Sequence, residues 1–214
     1  MTIPRPAAVA AGDLLVAQFT ADDGPSVSAA PSGWSPVTGP LSINGRATVF
    51  AYYKVAGAGE PTSYSFSLST PVKWNAGMTV FSGVDPAAPF DTAASTASNL
   101  GANSATLTVP GVTTTTAGAL LVGGVGMNSS SATVTPPTGW TESWEGTTAQ
   151  VSEAAFQARP TVGPTGDAAW RFSTGVISAG WLRALRPAGG GTPPPGPSAP
   201  VSSFDASPVS GVAP

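Results

Sequence analysis

The chain repeats short motifs at a constant distance of 106 residues. Three pairs show this spacing: Thr-Ile-Pro and Thr-Val-Pro at residues 2–4 and 108–110, Gly-Asp-Leu-Leu-Val and Gly-Ala-Leu-Leu-Val at 12–16 and 118–122, and Pro-Ser-Gly-Trp and Pro-Thr-Gly-Trp at 31–34 and 137–140. Self-similarity at one fixed period is the signature of an internal repeat. The sequence therefore predicts two related halves. Such a repeat describes a scaffold and leaves the chemistry open.

The composition favours strands over helices. The chain has 26 Gly and 23 Pro, which interrupt helices but suit an all-β protein with many turns. Short runs with period-2 alternation recur between these turn residues, which is typical of a sandwich or barrel. We predict an all-β fold of two duplicated β-sandwich halves, jelly-roll-like or Greek-key-like, in a pseudo-twofold relation.

The alternation predicts similar strands in both copies. They are residues 13–20, 33–37, 47–55, 63–68 and 76–84 in the first copy, residues 119–127, 139–144, 150–158, 168–173 and 178–185 in the second, and short opening strands at 2–3 and 105–109.

Changes of composition predict the domain boundaries. A first β-sandwich repeat is expected at residues 1–91, a second at 92–187 that begins with a short polar connection at 92–104, and a Gly/Pro-rich linker at 188–200. We favour packing of the two halves as one body, because each half alone would leave an apolar face exposed. Two independent units are the alternative.

Several function classes are excluded by residues that the chain lacks. It has no Cys and no His, which excludes Ser-His-Asp triads, Cys nucleophiles and the usual zinc sites. The net charge is −3 and the eight Lys and Arg residues are scattered, so nucleic acid is not expected as a partner. No apolar run of about 18 residues is present, so no membrane insertion is expected. The residues after Met1 do not have the pattern of a secretory signal.

The carboxylates are interpreted as structural. A glycosidase needs two carboxylates facing one cleft, whereas Glu142 and Glu145 are three residues apart on a predicted strand and should point to opposite faces. Residues 22–24 (Asp-Asp-Gly) could ligate calcium, but a solvated hairpin turn is favoured. Asp13 is interpreted as a turn residue, and Asp85 and Asp91 as turn initiators that close the first copy. No catalytic, cofactor or metal site is predicted.

Glycines at residues 123–126 (Gly-Gly-Val-Gly) superficially resemble a phosphate loop. They lie inside a strand pattern, without a following Lys or helix, and therefore indicate close backbone packing.

The tryptophans are the remaining candidates for binding. Trp34 and Trp140 could stack on sugars, but their shared turn context favours delivery into the core. Trp74 lies near the tip of the 70–75 connection without an aromatic counterpart in the second copy, so it is the candidate surface contact. We expect function where the copies differ, which means residues 37–46, the Trp74 loop and the C-terminal tether.

The motifs also resemble a known kind of module. They are the repeated elements at residues 12–16 and 31–34, Tyr-Lys-Val at 53–55, Glu-Pro-Thr-Ser-Tyr-Ser-Phe at 60–66, Ser-Gly-Val-Asp-Pro at 82–86 and Pro-Phe-Asp at 89–91. Together they resemble a β-sandwich module of virion proteins, of the type found in minor tail or capsid decoration proteins of phages that infect actinobacteria. Residues 201–214 resemble the incomplete opening of a PKD-type immunoglobulin-like domain.

The resemblance implies a non-enzymatic structural protein of a bacteriophage particle, in a minor tail, a fibre or a capsid decoration. Its expected location is the virion, and its expected partners are other virion proteins, further copies of itself in a homo-oligomer, and a glycan or protein of the host surface. It implies no cofactor and no functional residues. The alternative is a carbohydrate-binding or adhesive accessory module of a secreted bacterial protein, located outside the cell or at its surface.

Overall fold

Residues 1–189 are described by a computed structural model, and in that range the chain forms strands and no α-helix. The all-β prediction is confirmed. The first nine strands are β1 (Thr2–Pro4), β2 (Leu14–Asp22), β3 (Val27–Ala29), β4 (Ser35–Pro36), β5 (Leu41–Ile43), β6 (Ala47–Val55), β7 (Ser63–Ser65), β8 (Ser67–Leu68) and β9 (Trp74–Phe81). The next ten are β10 (Ser95–Ser98), β11 (Ser104–Val109), β12 (Thr113–Thr114), β13 (Ala119–Met127), β14 (Val134–Thr135), β15 (Thr141–Gly146), β16 (Val151–Arg159), β17 (Gly163–Pro164), β18 (Ala168–Val176) and β19 (Ser178–Leu185).

Two large antiparallel sheets form the centre of the structure. The first main sheet has the order β4-β6-β2-β9, with β5 also paired to β6, and the second has the order β10-β19-β13-β16-β15. Strand β2 lies between β6 and β9 as β13 lies between β16 and β19. The corresponding strand order agrees with the sequence repeat. The duplication and the pseudo-twofold relation remain interpretations of the sequence, as do the predicted domain boundaries.

Smaller sheets cover the outer faces of the main sheets. The pairs β1-β7 and β3-β8 lie on the first main sheet, and β11-β18-β14 with β12-β17 belong to the second half. The first core, between β2 and the small sheets, contains Ile3, Phe19 and Tyr64. The second core contains Val125, Trp170 and Leu182. Each half is therefore a sandwich with its own core, and its main sheet is the inner layer.

The two main sheets pack face to face across a third, shared core. Leu14 and Val16 of β2 belong to this core together with Leu120 and Val122 of β13 and Trp181 of β19. The halves thus pack as one body. Burial of both faces explains why β2 and β13 read as nearly continuous apolar runs.

Alternation along β2 decides which core each residue enters. Leu14 and Val16 face the shared core, whereas Leu15 and Phe19 face the first core. The Phe19 ring stacks on Phe50 with 4.9 Å between the centroids. One strand with period 2 therefore links two cores.

The longer connection at residues 37–46 packs between the halves. It contains β5, which joins β6 through the turn at residues 43–46, where the Arg46 N–H donates to Ile43 O. The central residues Asn44 and Gly45 both have positive φ, as a type I′ turn requires. Ile43 of β5 is fully buried in the shared core. The longer connection of the first copy therefore adds apolar side chains to the shared core.

The connection between the halves also differs from the prediction. Residues 92–104 were expected to be a short polar connection, but residues 95–98 form β10, which pairs antiparallel with β19. Four small residues with weak alternation give little strand signal, and they form a strand here because β19 offers an unpaired edge. The predicted linker from residue 190 onward and the PKD-like residues 201–214 lie outside the described residues.

Glycines allow the two main sheets to approach closely. A Cβ atom built on Gly124 would lie 2.2 Å from Gln18 Oε1, and one on Gly126 would lie 2.1 Å from Thr20 Oγ1. On the facing sheet, a Cβ atom at Gly77 would lie 2.3 Å from the Trp144 ring. The predicted close packing at residues 123–126 is confirmed.

Replacing Gly124 by alanine should test this close approach. The new methyl group would meet Gln18 and also the backbone carbonyl oxygen of Glu153, at 2.5 Å. Because backbone cannot yield cheaply, we expect the free energy of unfolding to fall by about 1–3 kcal/mol in urea denaturation. Gly101→Ala is the control, since nothing lies within 4 Å of its added Cβ. Equal stability of the two variants would contradict the close packing.

Candidate functional site

Trp74, the predicted surface contact, is the first residue of β9 and pairs with Ala21. It is half-buried and packs against the first core. The large apolar side chains that are exposed in residues 1–189 are Leu100 and Val162. Trp74 therefore presents only part of its ring, and a contact through it stays a prediction.

The Pro-Ser-Gly-Trp and Pro-Thr-Gly-Trp motifs form the same turn. In each, the backbone N–H of the tryptophan donates to the backbone carbonyl of the proline three residues earlier, and the glycine has φ near +80°. A positive φ at the third position is the requirement of a type II turn. Trp34 is 7% exposed and packs edge-on against Tyr64, which confirms its predicted core role. Trp140 is half-buried and packs against Trp170.

An ionic cluster lies beside the first of these turns. Lys54 Nζ donates to Glu60 Oε2 at 2.7 Å, and the backbone N–H of Gly57 donates to Glu60 Oε1 at 2.6 Å. The Tyr64 hydroxyl also donates to Glu60 Oε2. Lys54 and the motif at residues 60–66, which both contribute to the virion resemblance, therefore meet at one carboxylate. The cluster fixes the loop that joins β6 to β7.

The environment of Glu60 favours its charged form. Burial by itself raises the pKa of Glu60, but the hydrogen bonds from Lys54, Tyr64 and Gly57 lower this pKa to about 2. Burial and the hydrogen bond to Glu60 raise the pKa of Tyr64. A perturbed pKa can mark a functional site, but an ion-pair network produces the same effect. All the partners of Glu60 belong to the fold, which favours a structural role.

Gln18 forms the main polar contact between the two main sheets. Its side-chain amide donates to Val125 O at 3.0 Å, to Glu153 O at 3.0 Å and to Ser152 Oγ at 2.8 Å. Its carbonyl oxygen accepts from Trp181 Nε1 at 2.6 Å. Gln18 is 1% exposed, so these bonds satisfy an amide that burial would otherwise make costly. The facing Gly124 provides the space.

Asp91 holds a distant turn. Its carboxylate accepts the backbone N–H and the hydroxyl of both Thr115 and Thr116. Burial raises the pKa of Asp91, but the hydrogen bonds from Thr116 and Thr115 outweigh this and lower it. The prediction that Asp91 initiates its own turn was wrong, because its acceptor oxygens serve residues more than twenty positions away.

Two other aspartates have the predicted turn role. Asp13 accepts the N–H of Ala10 at 2.8 Å, and Asp85 accepts the N–H of Ala87 at 2.9 Å. The residues 22–24 end β2 in a turn where the Asp23 N–H donates to Arg46 O. Within residues 1–189, no three carboxylates are grouped so that they could hold a metal ion.

Three glutamates lie on one face of the second main sheet, which corrects the sequence interpretation. Glu142 pairs with Ala155 and Glu145 with Glu153, and the register shifts between Glu142 and Trp144. Because Glu153 and Ala155 are two residues apart on β16, their partners share a face. The prediction that Glu142 and Glu145 point to opposite faces was wrong. The cause is a β-bulge, which adds one residue and restores the same orientation.

These glutamates have raised pKa values. Glu153 is fully buried, and burial raises its pKa well above the usual value, while the charges of Glu142 and Glu145 raise it further. Its Oε2 accepts from Trp170 Nε1 at 2.8 Å, which opposes the rise. Burial also raises the pKa values of Glu142 and Glu145. Glu153 is therefore neutral at low pH and costly to ionise in place.

The chain was compared with protein-family models, with curated proteins and with solved structures, and none matched. In residues 1–189 no helix is long and apolar enough to cross a membrane.

No individual role was predicted from the sequence for three polar residues of the structure. They are Gln18, Glu60 and Glu153, and two of them carry a signal in the sequence. Gln18 lies among the apolar residues of β2, and Glu153 lies among small residues near the start of β16. A buried amide needs hydrogen-bond partners, and a buried carboxyl group needs partners or a proton. Which partner they find depends on the opposite sheet.

Gln18→Ala should destabilise the contact between the halves. The variant leaves the Trp181 indole N–H and the Ser152 hydroxyl without their bonds to the amide, at buried positions. We expect a loss of about 3 kcal/mol in the free energy of unfolding. Gln157→Ala is the control, because that amide makes one exposed bond, to Gly139 O at 3.2 Å. If both variants lost a similarly small part of the free energy of unfolding, the role of Gln18 in joining the two main sheets would be contradicted.

The lowered pKa of Glu60 predicts that the free energy of unfolding falls in acid. Its pKa is about 2 in the folded protein and near 4.5 in the unfolded chain, so the unfolded chain binds more protons between these values. The contribution of ionised Glu60 to the free energy of unfolding is complete above pH 4.5 and is lost as the pH falls to about 2. Wild type should lose about 1–2 kcal/mol more than Glu60→Gln over this range in urea titrations. Parallel pH profiles would contradict the prediction.

Proposed function

We propose that this protein is a non-enzymatic structural component of a bacteriophage particle, in a minor tail, a fibre or a capsid decoration. The observation that carries the proposal is the use of the buried polar side chains. Gln18 joins the two main sheets, Glu60 fixes a loop, and Asp91 holds a turn. These groups are engaged with the fold, as a scaffold requires. The resemblance of the sequence motifs to virion modules is the reason to place this scaffold in a bacteriophage particle.

The form of the molecule supports this role. A virion component must keep one shape while it binds neighbouring copies and other particle proteins, and three apolar cores in one stack resist deformation because close-packed interiors have low compressibility. Only 9% of the residues are charged, so the surface relies on hydroxyl and backbone groups for solvation. Loops on such a scaffold commonly carry recognition, and contact with a host glycan or protein is part of the proposal.

A carbohydrate-binding or adhesive accessory module is the second candidate. The observation that favours it is Trp74, whose ring is partly accessible at the start of an edge strand. Exposed aromatic rings can stack on sugars. Glycan binding that is lost in Trp74→Ala, but retained when the exposed Leu100 is replaced by alanine, would favour this candidate.

Mass spectrometry of purified particles tests the virion proposal. Particles from a culture that produces the protein should contain its peptides at the constant stoichiometry of a structural component after density-gradient purification. Particles whose genome lacks the coding region serve as the control. Peptides that appear in the secreted bacterial fraction and are absent from particles would overturn the proposal and favour the accessory module.

A further inference from the structure

Glu153 occupies an unusual position for a carboxyl group. It lies in β16 with its side chain in the second core and has no exposed surface. Oε2 accepts from Trp170, whereas Oε1 has no hydrogen-bond partner. An ionised carboxylate in such a place lacks the bonds that would offset its desolvation. The geometry suits a carboxyl group that carries a proton.

The groups around Glu153 offer no positive charge. Glu145 lies directly opposite it on β15, and Glu142 lies on the same face. On the other side, β13 contributes Val125, and the overlying β18 contributes Trp170. Arg171 is the charged residue of β18, and it is exposed on the outer face. Loss of the proton would therefore place a negative charge beside two carboxylates, and like charges directly opposite one another in a sheet are destabilising.

Strand β15 is the element whose movement would most easily reduce the repulsion between an ionised Glu153 and the two facing carboxylates. It is an edge strand with β16 as its strand partner, and it contains the bulge at Ser143. Strand β13, on the other side of Glu153, is central and pairs on both edges. Local opening at an edge costs less than global unfolding. Separation of β15 would let water reach Glu153 and would move Glu145 and Glu142 away from it.

Strand β15 also contributes to the contact between the halves. Trp144 points away from the glutamates and packs on Gly77 of the first main sheet, where any Cβ atom would overlap its ring. The same strand therefore carries carboxylates on one face and an inter-sheet aromatic contact on the other. Movement of β15 would disturb both.

We propose that Glu153 is a proton-binding switch that holds β15 in the second main sheet while it is neutral and releases this edge when it ionises. Release withdraws Trp144 from Gly77 and loosens the contact between the two halves. At low pH the Glu153 carboxyl group is protonated and β15 stays paired with β16. At high pH the group is ionised and β15 separates. It does not depend on the virion proposal, because it follows from the packing of β15 alone.

Hydrogen exchange measured by mass spectrometry tests the switch. In the wild type, the protection of residues 141–146, corrected for the intrinsic pH dependence of exchange, should fall at least about tenfold between pH 5 and pH 9, relative to β2. Glu153→Gln keeps the shape without the charge and should remove this fall. Glu60→Gln is a matched control in the other half and should leave it unchanged. Constant protection of β15 in the wild type, or the same fall in Glu153→Gln, would overturn the proposal.

Glu145→Gln provides a second test that holds even if Glu153→Gln fails to fold. Removing the carboxylate opposite Glu153 makes its ionisation easier in place but reduces the repulsion that drives β15 away. The loss of protection should therefore become smaller, by about threefold or more, over the same pH range. An unchanged loss would show that the charges across β15 and β16 do not drive the opening, and would also overturn the proposal.

Discussion

The structure depends on the close approach of its two main sheets around the side chain of Gln18. Apolar packing in the shared core is strong but non-directional, so by itself it would tolerate more than one alignment of the sheets. The buried amide of Gln18 has three acceptors within hydrogen-bond distance of its NH2 group, and its oxygen accepts from Trp181. These contacts select one alignment of the sheets, because an unsatisfied amide at this position is costly. Gly124 and Gly126 make the approach possible by leaving space for Gln18 and Thr20. Specific orientation thus comes from one polar residue and two glycines.

The two halves place an aromatic donor beside a glutamate in different ways. In the first half Tyr64 donates to Glu60, which lies in a loop and also receives Lys54. In the second half Trp170 donates to Glu153, which lies inside a strand and receives no cation. The first arrangement stabilises a charged carboxylate and the second a neutral one. Similar strand orders therefore hold carboxyl groups with opposite responses to pH, so the local environment of each group, and not the strand order, decides its behaviour.

The segment between the halves adds a second attachment. Arg183 of β19 donates to Val37 O and Thr92 O, and its guanidinium lies 3.6 Å from the centroid of the Phe90 ring. One side chain thereby joins β19, the connection after β4 and the segment between the halves. Together with the shared core, this contact makes the stack a single body with three cores. Such a body suits a protein whose proposed role is to hold a shape within a particle.

Local sequence patterns were enough to predict the all-β class, the turns that precede Trp34 and Trp140, and the close packing at residues 123–126. These depend on local rules, namely the φ that only glycine adopts readily and the period-2 pattern of strands. The other features depend on contacts between segments that are distant in sequence. The common face of Glu142 and Glu145 depends on a bulge, the formation of β10 depends on the edge of β19, and the partners of Gln18 and Asp91 lie far away in sequence. Local pattern cannot specify these features, because each is set by which strand lies opposite.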